Sequence, residues 1–350
     1  FDTNWVAPLG PNVNAFEHGL ENYLGAYKVA ALSSGTAALH LALILAGVQR
    51  NDVVLCQSFT FVATANPITY LGASPVFVDS EKETWNICPM LLEKAVVDRI
   101  NTGKKPKAVV VMHSYGMPAK MNEITTICKK YNLILIEDAA SALGSTVNNQ
   151  KCGTFGDFGI VSFNGNKIIT TSGGGALICK HEEDKNKAIF LATQARDTAP
   201  HYEHSQVGYN YRMSNIVAGI GRGQLEVLED RIVARRNMHF FYDEIFSKIE
   251  GVIMHKESST ERFSNFWLSA ILLESYEMRE ALRLHLEKEH IESRPLWKPM
   301  HLQPVFMKYK SYTNGISEDL FNRGLCLPSG SNLTDEDRDR IKTSLHGFFK

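Results

Sequence analysis

The sequence is poor in cysteine, and none of its six cysteines belongs to a Cys-x-x-Cys pair or a tight cluster. Most of them lie in or beside apolar runs, where small core residues are common. This scatter argues against a disulfide framework and against a zinc site, and it is typical of proteins from a reducing compartment. We therefore expect free thiols and a cytoplasmic protein.

Long apolar runs and an excess of one charge are also absent. No run reaches the roughly 18 residues of a membrane span, and the first residues lack the pattern of a signal peptide. The formal net charge of −1 argues against nucleic acid or an anionic membrane as a partner. The 12 histidines form no ligand-spaced pair, and the nearest candidate, segment 201–204 (HYEH), is a weak metal site. We expect no metal.

Strand-like and helix-like segments alternate through the first two thirds of the chain. Continuous Val, Ile and Leu runs indicate strands buried on both faces, and helical periodicity separates them. The predicted strands are 53–56, 75–79, 108–112 and 133–136, and the predicted helices are 35–46, 63–71, 90–99 and 122–131. This order predicts a mostly parallel sheet covered by helices, which is a three-layer α/β/α domain.

The pattern changes after about residue 215. A long helix with a charged face is predicted over 216–247, followed by a strand at 267–273 and helices near 276–289 and 335–346. We expect a large α/β domain over residues 1–225 and a smaller α+β domain over residues 226–350.

Lys167 stands on a short, glycine-flanked link between two apolar runs, 158–163 and 176–179. Apolar neighbours desolvate an amine and lower its pKa, which is what a Schiff-base lysine requires. Taken alone, the pattern is more often that of a solvated loop lysine.

Two further segments carry groups that suit a phosphorylated cofactor. Segment 32–39 (LSSGTAAL) opens a helix with small residues, so its free backbone N–H groups favour a phosphate. The alternative is an ordinary serine cap. Asp138 follows a buried strand and requires a cation or hydrogen bonds, which a pyridinium N–H would supply; the alternative is a helix cap.

Three aromatic or basic segments complete the pattern. Phe59 and Phe61 follow a strand end and suit either ring stacking or core packing. Segments 208–212 (GYNYR) and 293–301 (SRPLWKPMH) suit either a binding role or a solvated loop. Together, the helix opening, the aromatic, the aspartate and the lysine match what pyridoxal 5'-phosphate requires of a protein.

Several of these segments resemble the DegT/DnrJ/EryC1/StrS family of nucleotide-sugar aminotransferases. The similar segments are 34–39 (SGTAAL), 59–64 (FTFVAT), 72–79 (GASPVFVD), 137–140 (EDAA) and the stretch around Lys167. The resemblance implies the aspartate aminotransferase-like fold, fold type I. Within the family, five segments are most similar to aminotransferases of UDP-linked 4-amino sugars of the bacillosamine type: 4–10 (NWVAPLG), 171–175 (TSGGG), 209–215 (YNYRMSN), 294–298 (RPLWK) and 326–330 (CLPSG).

Carried over by position, the resemblance implies that Lys167 forms the Schiff base and that Asp138 pairs with the pyridinium nitrogen. The residues implied to bind the rest of the cofactor are Gly35, Thr36, Ala37 and Ser162 at the phosphate and Phe61 on the ring. Asn210 is implied to reach the phosphate in a neighbouring subunit, because the family builds its sites across a homodimer interface. The residues implied to line the sugar-nucleotide cleft are Pro8, Leu9, Gly10, Arg212, Arg294 and His301.

One position departs from the family. Where the family has Glu, Gln or His near the ring oxygen of the cofactor, this chain has Ser141. We expect the shorter hydroxyl of Ser141 to reach the cofactor through a water.

The resemblance implies a ping-pong transamination that converts a nucleotide-linked 4-keto-6-deoxy sugar to the 4-amino sugar, with glutamate as donor. UDP-2-acetamido-4-keto-2,4,6-trideoxyhexose is the expected substrate, for bacterial surface glycans or glycoproteins. Alternatives are a GDP- or dTDP-linked sugar, a sugar 3-dehydratase, which carries His in place of the lysine, and a cofactor-binding protein without turnover. A nicotinamide-dependent oxidoreductase finds no support, because no Gly-x-Gly-x-x-Gly motif follows the first predicted strand.

Overall fold

The structure of the protein, a computed structural model, describes residues 5–25 and 27–350. Asn4, which opens the similar segment 4–10, lies outside the described residues. Within them, no helix is both long enough and apolar enough to cross a membrane.

The helices and strands alternate as the sequence predicts. The helices are α1 (Pro11–Leu24), α2 (Gly35–Leu45), α3 (Asn66–Tyr70), α4 (Pro89–Asn101), α5 (Met121–Tyr131), α6 (Glu182–Ala192), α7 (Asn215–Glu226), α8 (Leu228–Phe246), α9 (Tyr276–Lys288), α10 (Ile316–Arg323) and α11 (Asp335–Phe348). The strands are β1 (Lys28–Leu32), β2 (Val53–Gln57), β3 (Ser74–Val78), β4 (Ala108–Met112), β5 (Ile134–Asp138), β6 (Thr146–Val147), β7 (Gln150–Lys151), β8 (Phe158–Ser162), β9 (Gly175–Cys179), β10 (Ile253–Met254), β11 (Arg262–Phe263), β12 (Ser269–Leu272), β13 (Arg294–Pro295), β14 (Ser311–Tyr312) and β15 (Gly324–Leu327).

A large mixed sheet has the strand order β1-β9-β8-β5-β4-β2-β3-β14. The pairs from β8 to β14 are parallel, whereas β9 pairs antiparallel with both β1 and β8. Seven of the eight strands therefore run in one direction, and the prediction of a mostly parallel sheet is confirmed.

Each strand of the large sheet buries alternate residues in opposite cores, because successive side chains point to opposite faces. Leu32, Val110 and Ile136 pack with α2 and α6. On the other face, the flanking strands pack with α1, and the central strands pack with α4 and α5. This arrangement gives the predicted three layers.

A second sheet, with the order β10-β12-β15-β13, is antiparallel and packs against α8, α9 and α11. It matches the predicted smaller α+β unit. Strand β14 belongs to the C-terminal part of the sequence but pairs with β3 in the large sheet. The boundary between residues 225 and 226 stays a prediction.

Two predicted helices differ from the observed ones. The helix expected over 63–71 is a short 3-10 turn, Val62–Thr64, followed by α3, because Pro67 lacks the N–H of a helix interior and occupies the first turn of α3. The helix expected over 216–247 breaks at Val227 into α7 and α8. After the break, Leu228 and Ile232 enter the same core as α1.

A buried ion pair fastens α1 to the sheet. The Glu17 carboxylate accepts hydrogen bonds from the Arg212 guanidinium and from the Ala31 N–H, the latter at 2.7 Å. Arg212 also donates to the Ala31 carbonyl at 3.0 Å. Both charged side chains are almost fully buried, where water cannot stabilise their charges, so Glu17 and Arg212 neutralise each other.

We expect Arg212→Met to destabilise the protein by about 3 kcal/mol, because the buried Glu17 carboxylate loses its hydrogen-bonded cation and keeps only the Lys185 amine, at 3.9 Å. Urea unfolding at pH 7 measures this change. The control is Asp319→Asn, which breaks the exposed pair of Asp319 with Arg323 and should cost about 1 kcal/mol or less. Equal costs for the two variants would contradict the structural role of Arg212.

Candidate active site

The carboxyl ends of the co-directional strands meet at one edge of the large sheet. Three chain segments leave this edge beside one another: the start of α2 after β1, residues 138–141 at the end of β5, and residues 162–167 after β8. This is the edge at which α/β sheets bind ligands. The topology thus brings together segments far apart in sequence.

Lys167 lies on the connection between β8 and β9. Its N–H donates to the Asn164 carbonyl at 3.0 Å, which closes a turn whose residues 164–166 are exposed. The next two residues, Ile168 and Ile169, are buried in the core shared with α1. The lysine is therefore anchored from its C-terminal side, and its side chain extends into the cavity at the sheet edge.

The amine of Lys167 contacts two uncharged side chains. Its Nζ lies 3.1 Å from the Ser141 hydroxyl and 4.0 Å from the centre of the Trp267 ring. Burial lowers the pKa of Lys167 to about 8, although the nearby Asp138 carboxylate raises it. Lys167 therefore supplies much more free amine at neutral pH than an exposed lysine does.

The Asp138 carboxylate is buried and held from two sides. One oxygen accepts a hydrogen bond from the Thr64 hydroxyl at 2.6 Å, and the other accepts from the Ala140 N–H at 3.1 Å. The Thr64 hydroxyl in turn lies 2.7 Å from that of Thr60. These neutral donors fix the direction of the carboxylate, which also lines the cavity.

The N-terminus of α2 forms another part of the cavity wall. Ser34 caps the helix by accepting from the Ala37 N–H at 3.0 Å, and the N–H groups of Gly35 and Thr36 have no partner within the helix. The Ser162 hydroxyl is adjacent, since a methyl group on Gly35 would lie 3.6 Å from it. N–H groups, a hydroxyl and a positive helix end together form an anion site.

Four aromatic side chains form the remaining wall of the cavity: Phe61, Tyr115, Trp267 and Trp297. Tyr115 and Trp297 stack with their ring centres 4.2 Å apart, and the Tyr115 hydroxyl accepts from the Trp297 N–H at 2.9 Å. Phe61 is 52% exposed, so one ring face is open to a planar ligand.

These groups surround a cavity of about 1080 Å³. The predicted site residues on its wall are Gly35, Thr36, Phe61, Asp138, Ser162, Lys167 and Arg294. Ser141, predicted to act at the cofactor ring, is buried and directly contacts the Lys167 amine.

Other predicted site residues lie away from this wall. Ala37 is buried in the first turn of α2, and Asn210 is exposed beside Thr193. Pro8 and Leu9 are exposed, and Gly10 caps α1.

Arg212 and His301 are also not on the wall of this cavity. Arg212 is buried against Glu17. The ring of His301 lies between the hydroxyl of Ser58, at 2.7 Å, and the carboxylate of Glu318, at 3.1 Å. Internal partners therefore occupy both side chains, which is the physical reason that neither reaches the cavity.

Three residues of the site were not predicted from the sequence: Thr64, Trp267 and Asn265. Thr64 stands in segment 59–64, where its hydroxyl could have been matched to the buried Asp138. Trp267 and Asn265 lie about a hundred residues from Lys167 in sequence, beyond the reach of local patterns.

The wall contains an enclosed amine, a buried carboxylate, an anion site and an open aromatic face. This set fits a flat, phosphorylated, carbonyl-bearing cofactor: the carboxylate suits a protonated ring nitrogen and the amine suits a carbonyl carbon. Within the part of the chain that the structure describes, no cluster of three or more His, Cys, Asp or Glu side chains could hold a metal ion.

Comparison with known proteins gives the same assignment from independent data. A model of the DegT/DnrJ/EryC1/StrS aminotransferase family matches residues 1–346. The Bacillus subtilis protein EpsN, whose name describes a pyridoxal phosphate-dependent aminotransferase, is 50% identical over 353 residues, covering 99% of this chain and 91% of EpsN. The GDP-perosamine synthase of Escherichia coli O157:H7 is 36% identical over 349 residues, covering 99% and 93% of the two chains.

The fold is also that of a solved member of this family. A DegT DnrJ EryC1 StrS aminotransferase from Brucella abortus superposes with a TM-score of 0.92 at 32% identity, covering 99% of this chain and 92% of that one. The predicted fold type is therefore confirmed.

We expect Lys167 in the cofactor-free protein to be acetylated with a pH midpoint of about 8, against 10.5 for an unperturbed lysine. Mass spectrometry of the peptide containing Lys167 over a pH series measures this midpoint, with surface lysines of the same digest as internal controls. A midpoint near 10.5 would contradict the enclosure of the amine.

The same shift has a thermodynamic consequence. Because the pKa is lower in the folded than in the unfolded chain, protonation of Lys167 favours unfolding. The free-energy cost of keeping the protonated amine buried is present below pH 8 and is relieved as the pH rises from 8 toward 10.5, so the free energy of unfolding should increase over this range. Lys167→Met has no amine at this position, so this increase should be absent in the variant.

Proposed function

The chain belongs to the DegT/DnrJ/EryC1/StrS family of pyridoxal phosphate-dependent sugar aminotransferases, and from that premise we propose its substrate and the roles of its residues. The proposed reaction is amination of a UDP-linked 4-keto-6-deoxy sugar, UDP-2-acetamido-4-keto-2,4,6-trideoxyhexose, with glutamate as donor. In this proposal the enzyme acts in the cytoplasm and supplies amino sugars for bacterial surface glycans. The observation that carries the proposal is the enclosed Lys167 amine beside the buried Asp138 carboxylate.

In this proposal, Lys167 has two duties. Its Nζ would hold the cofactor covalently and, once an amino donor has displaced it, would accept a proton from the donor carbon and deliver it to the C4' carbon of the cofactor. The lowered pKa of Lys167 suits both duties, because each needs a free amine near neutral pH. Bound pyridoxal phosphate supplies an electron sink for the bond that breaks at the donor carbon.

Asp138 and the α2 N-terminus orient the cofactor. The Asp138 carboxylate binds the protonated ring nitrogen and is itself held in place by Thr64. The N–H groups of Gly35 and Thr36 and the Ser162 hydroxyl bind the phosphate. Phe61 would stack on the ring, and Ser141 would stay in contact with the lysine amine, as it is here.

A homodimer completes the proposed site. Asn210, Pro8 and Leu9 are exposed and lie off the cavity of their own chain. This placement suits residues that act in the cavity of a second subunit. Arg294 lines the cavity of its own chain and pairs with the exposed Glu292 carboxylate. Its side chain is 79% exposed, which suits contact with the anionic diphosphate of the substrate in exchange for that surface pair.

The nucleotide is supported by sequence alone. The five segments that resemble UDP-linked 4-amino-sugar aminotransferases support UDP. A second candidate is a GDP-linked 4-keto sugar, because three GDP-perosamine synthases are 34–36% identical to the chain over nearly its whole length.

We expect Lys167→Ala to retain the cofactor through the phosphate site and Asp138 but to lose at least about 10³-fold in turnover. Glutamate-dependent formation of the amino sugar measures turnover, and the visible absorbance of the bound cofactor measures retention. Lys248→Ala, at an exposed lysine of the surface, is the matched control and should keep the wild-type rate. Near-wild-type turnover in Lys167→Ala would contradict the proposal.

A panel of UDP-, GDP- and dTDP-linked 4-keto-6-deoxy sugars tests the substrate. We expect the UDP-linked 2-acetamido sugar to give the highest kcat/KM, by at least about tenfold, which corresponds to about 1.4 kcal/mol. Mass analysis separates the outcomes: an amino sugar supports amination, whereas loss of water indicates the 3-dehydratase. Preference for the GDP sugar would contradict UDP and support the second candidate, a GDP-linked 4-keto sugar. Absence of any product would indicate a binding protein without turnover.

A further inference from the structure

The two uncharged neighbours of the Lys167 amine are both held by one buried asparagine. Asn265 lies between β11 and β12 and is fully buried. Its Nδ2 donates to the Ser141 carbonyl at 3.1 Å and to the Leu143 carbonyl at 2.9 Å. Its Oδ1 accepts from the Trp267 N–H at 2.8 Å. The same side chain therefore fixes the residue whose hydroxyl contacts the amine and the residue whose ring lies beside it.

The partners of Asn265 determine the orientation of its amide. Two carbonyl oxygens face the nitrogen and one N–H faces the oxygen, so a flipped amide would lose all three hydrogen bonds. The Asn265 N–H is also bound, by the Ser145 hydroxyl at 2.9 Å, and that hydroxyl donates to the Gly116 carbonyl at 2.7 Å. A methyl group on Gly116 would lie 2.0 Å from the Asn265 oxygen, so this oxygen packs closely against the glycine backbone.

Trp267 is held at both ends. Its indole N–H donates to the Asn166 carbonyl at 2.7 Å, directly before Lys167. Its backbone N–H is held by Asn265. Phe266, between them, adopts a left-handed φ of 45°, which an L-residue accepts only where the surroundings enforce it. Rotation of the ring away from the amine would break the indole hydrogen bond to Asn166.

We propose that Asn265 is a positioning residue that holds Ser141 and Trp267 against the Lys167 amine and thereby excludes water from it. The inference rests on the proposed role of Lys167 as the cofactor lysine. Asn265, in the C-terminal part of the chain, thereby controls the proton affinity of the Lys167 amine at the edge of the large sheet. Asn265 itself makes its contacts with Ser141, Leu143, Ser145 and Trp267.

The charged and titratable groups around the amine come from several elements. Asp138 at the end of β5 is the one that raises the pKa of Lys167. Arg235 on α8 lines the cavity and donates to the Trp267 carbonyl at 3.0 Å. The other titratable groups of the wall are Tyr115, His290, Glu292, Arg294, Cys326, Asp337 and Arg340. Asn265→Ala changes none of these groups, so a shift in the pKa of Lys167 would report the loss of positioning.

The test is the pH midpoint of Lys167 acetylation in the cofactor-free full chain. In Asn265→Ala, water reaches the amine, and we expect the midpoint to rise from about 8 toward 10.5 by about one pH unit, a tenfold loss of free amine at neutral pH. In the holoenzyme, the acid limb of the kcat profile should move in the same direction. An unmoved midpoint overturns the proposal.

The matched control is Asn215→Ala. Asn215, at the start of α7, is another buried asparagine; its amide oxygen accepts from the Asn12 N–H at 2.8 Å, and its amide nitrogen donates to the Trp5 carbonyl at 2.8 Å. Its loss should destabilise the fold comparably while the Lys167 midpoint stays in place. An equal shift in Asn215→Ala would show that general loosening moves the midpoint, and would overturn the proposal.

Two further variants keep the test decisive. If Asn265→Ala fails to fold, Ser145→Ala removes one support of Asn265 and should give a smaller rise of the midpoint; no rise overturns the proposal. In a Trp267→Phe background, the effect of Asn265→Ala should be reduced, because both changes act on one contact. Protection of Lys167 from acetylation by added pyridoxal phosphate tests its cofactor role separately, so failure of that role is distinguishable from failure of the positioning role.

Discussion

The site depends on the close approach of α2 to the strand pair β8–β9. A methyl group on Gly175 would lie 2.3 Å from the Gly35 nitrogen and 2.5 Å from the Ser34 carbonyl carbon. The backbone of the helix start therefore touches the backbone of β9, and only glycine fits between them. Gly175 pairs with Ser162 on one side and with Leu32 on the other. The anion site and the strand that leads to Lys167 thus form one rigid unit.

Two adjacent carboxylates on β5 illustrate how a strand separates structural from chemical duties. Successive side chains point to opposite faces of the sheet. Asp138 lines the cavity, whereas Glu137 is fully buried and accepts from the N–H groups of Gly153, Phe155 and Gly156 at 2.6–2.9 Å. His113 lies 3.0 Å from Glu137, and its Nδ1 accepts from the Ala119 N–H. The Nε2–H of His113 donates to the Glu137 carboxylate. The pair therefore stabilises the end of strand β5.

Much of this architecture could be predicted from sequence because it follows from local patterns. The strand 108–112 matches β4, and helix 122–131 matches α5 within one residue. Lys167, Asp138 and the start of α2 occupy the same sheet edge because parallel strands end together. Helix α1 was missed, although Val13, Phe16 and Leu20 follow a helical period, because its polar residues obscure the pattern. The environment of Lys167 could not be predicted, since Trp267 and Asn265 reach it through tertiary packing, and the buried partner of Arg212 lies some two hundred residues away at Glu17.

The pairing of β14 with β3 has a consequence for how the chain is made. Strand β3 holds residues near position 76, whereas its outer partner β14 lies at residues 311–312. During synthesis the chain emerges from its N-terminus, so the outer edge of β3 has no partner until most of the polypeptide has left the ribosome. An open strand edge is a template for pairing with another chain. A fragment that ends near residue 225 would keep that edge permanently, so the nascent chain should depend on chaperones, and the N-terminal part should aggregate when produced by itself.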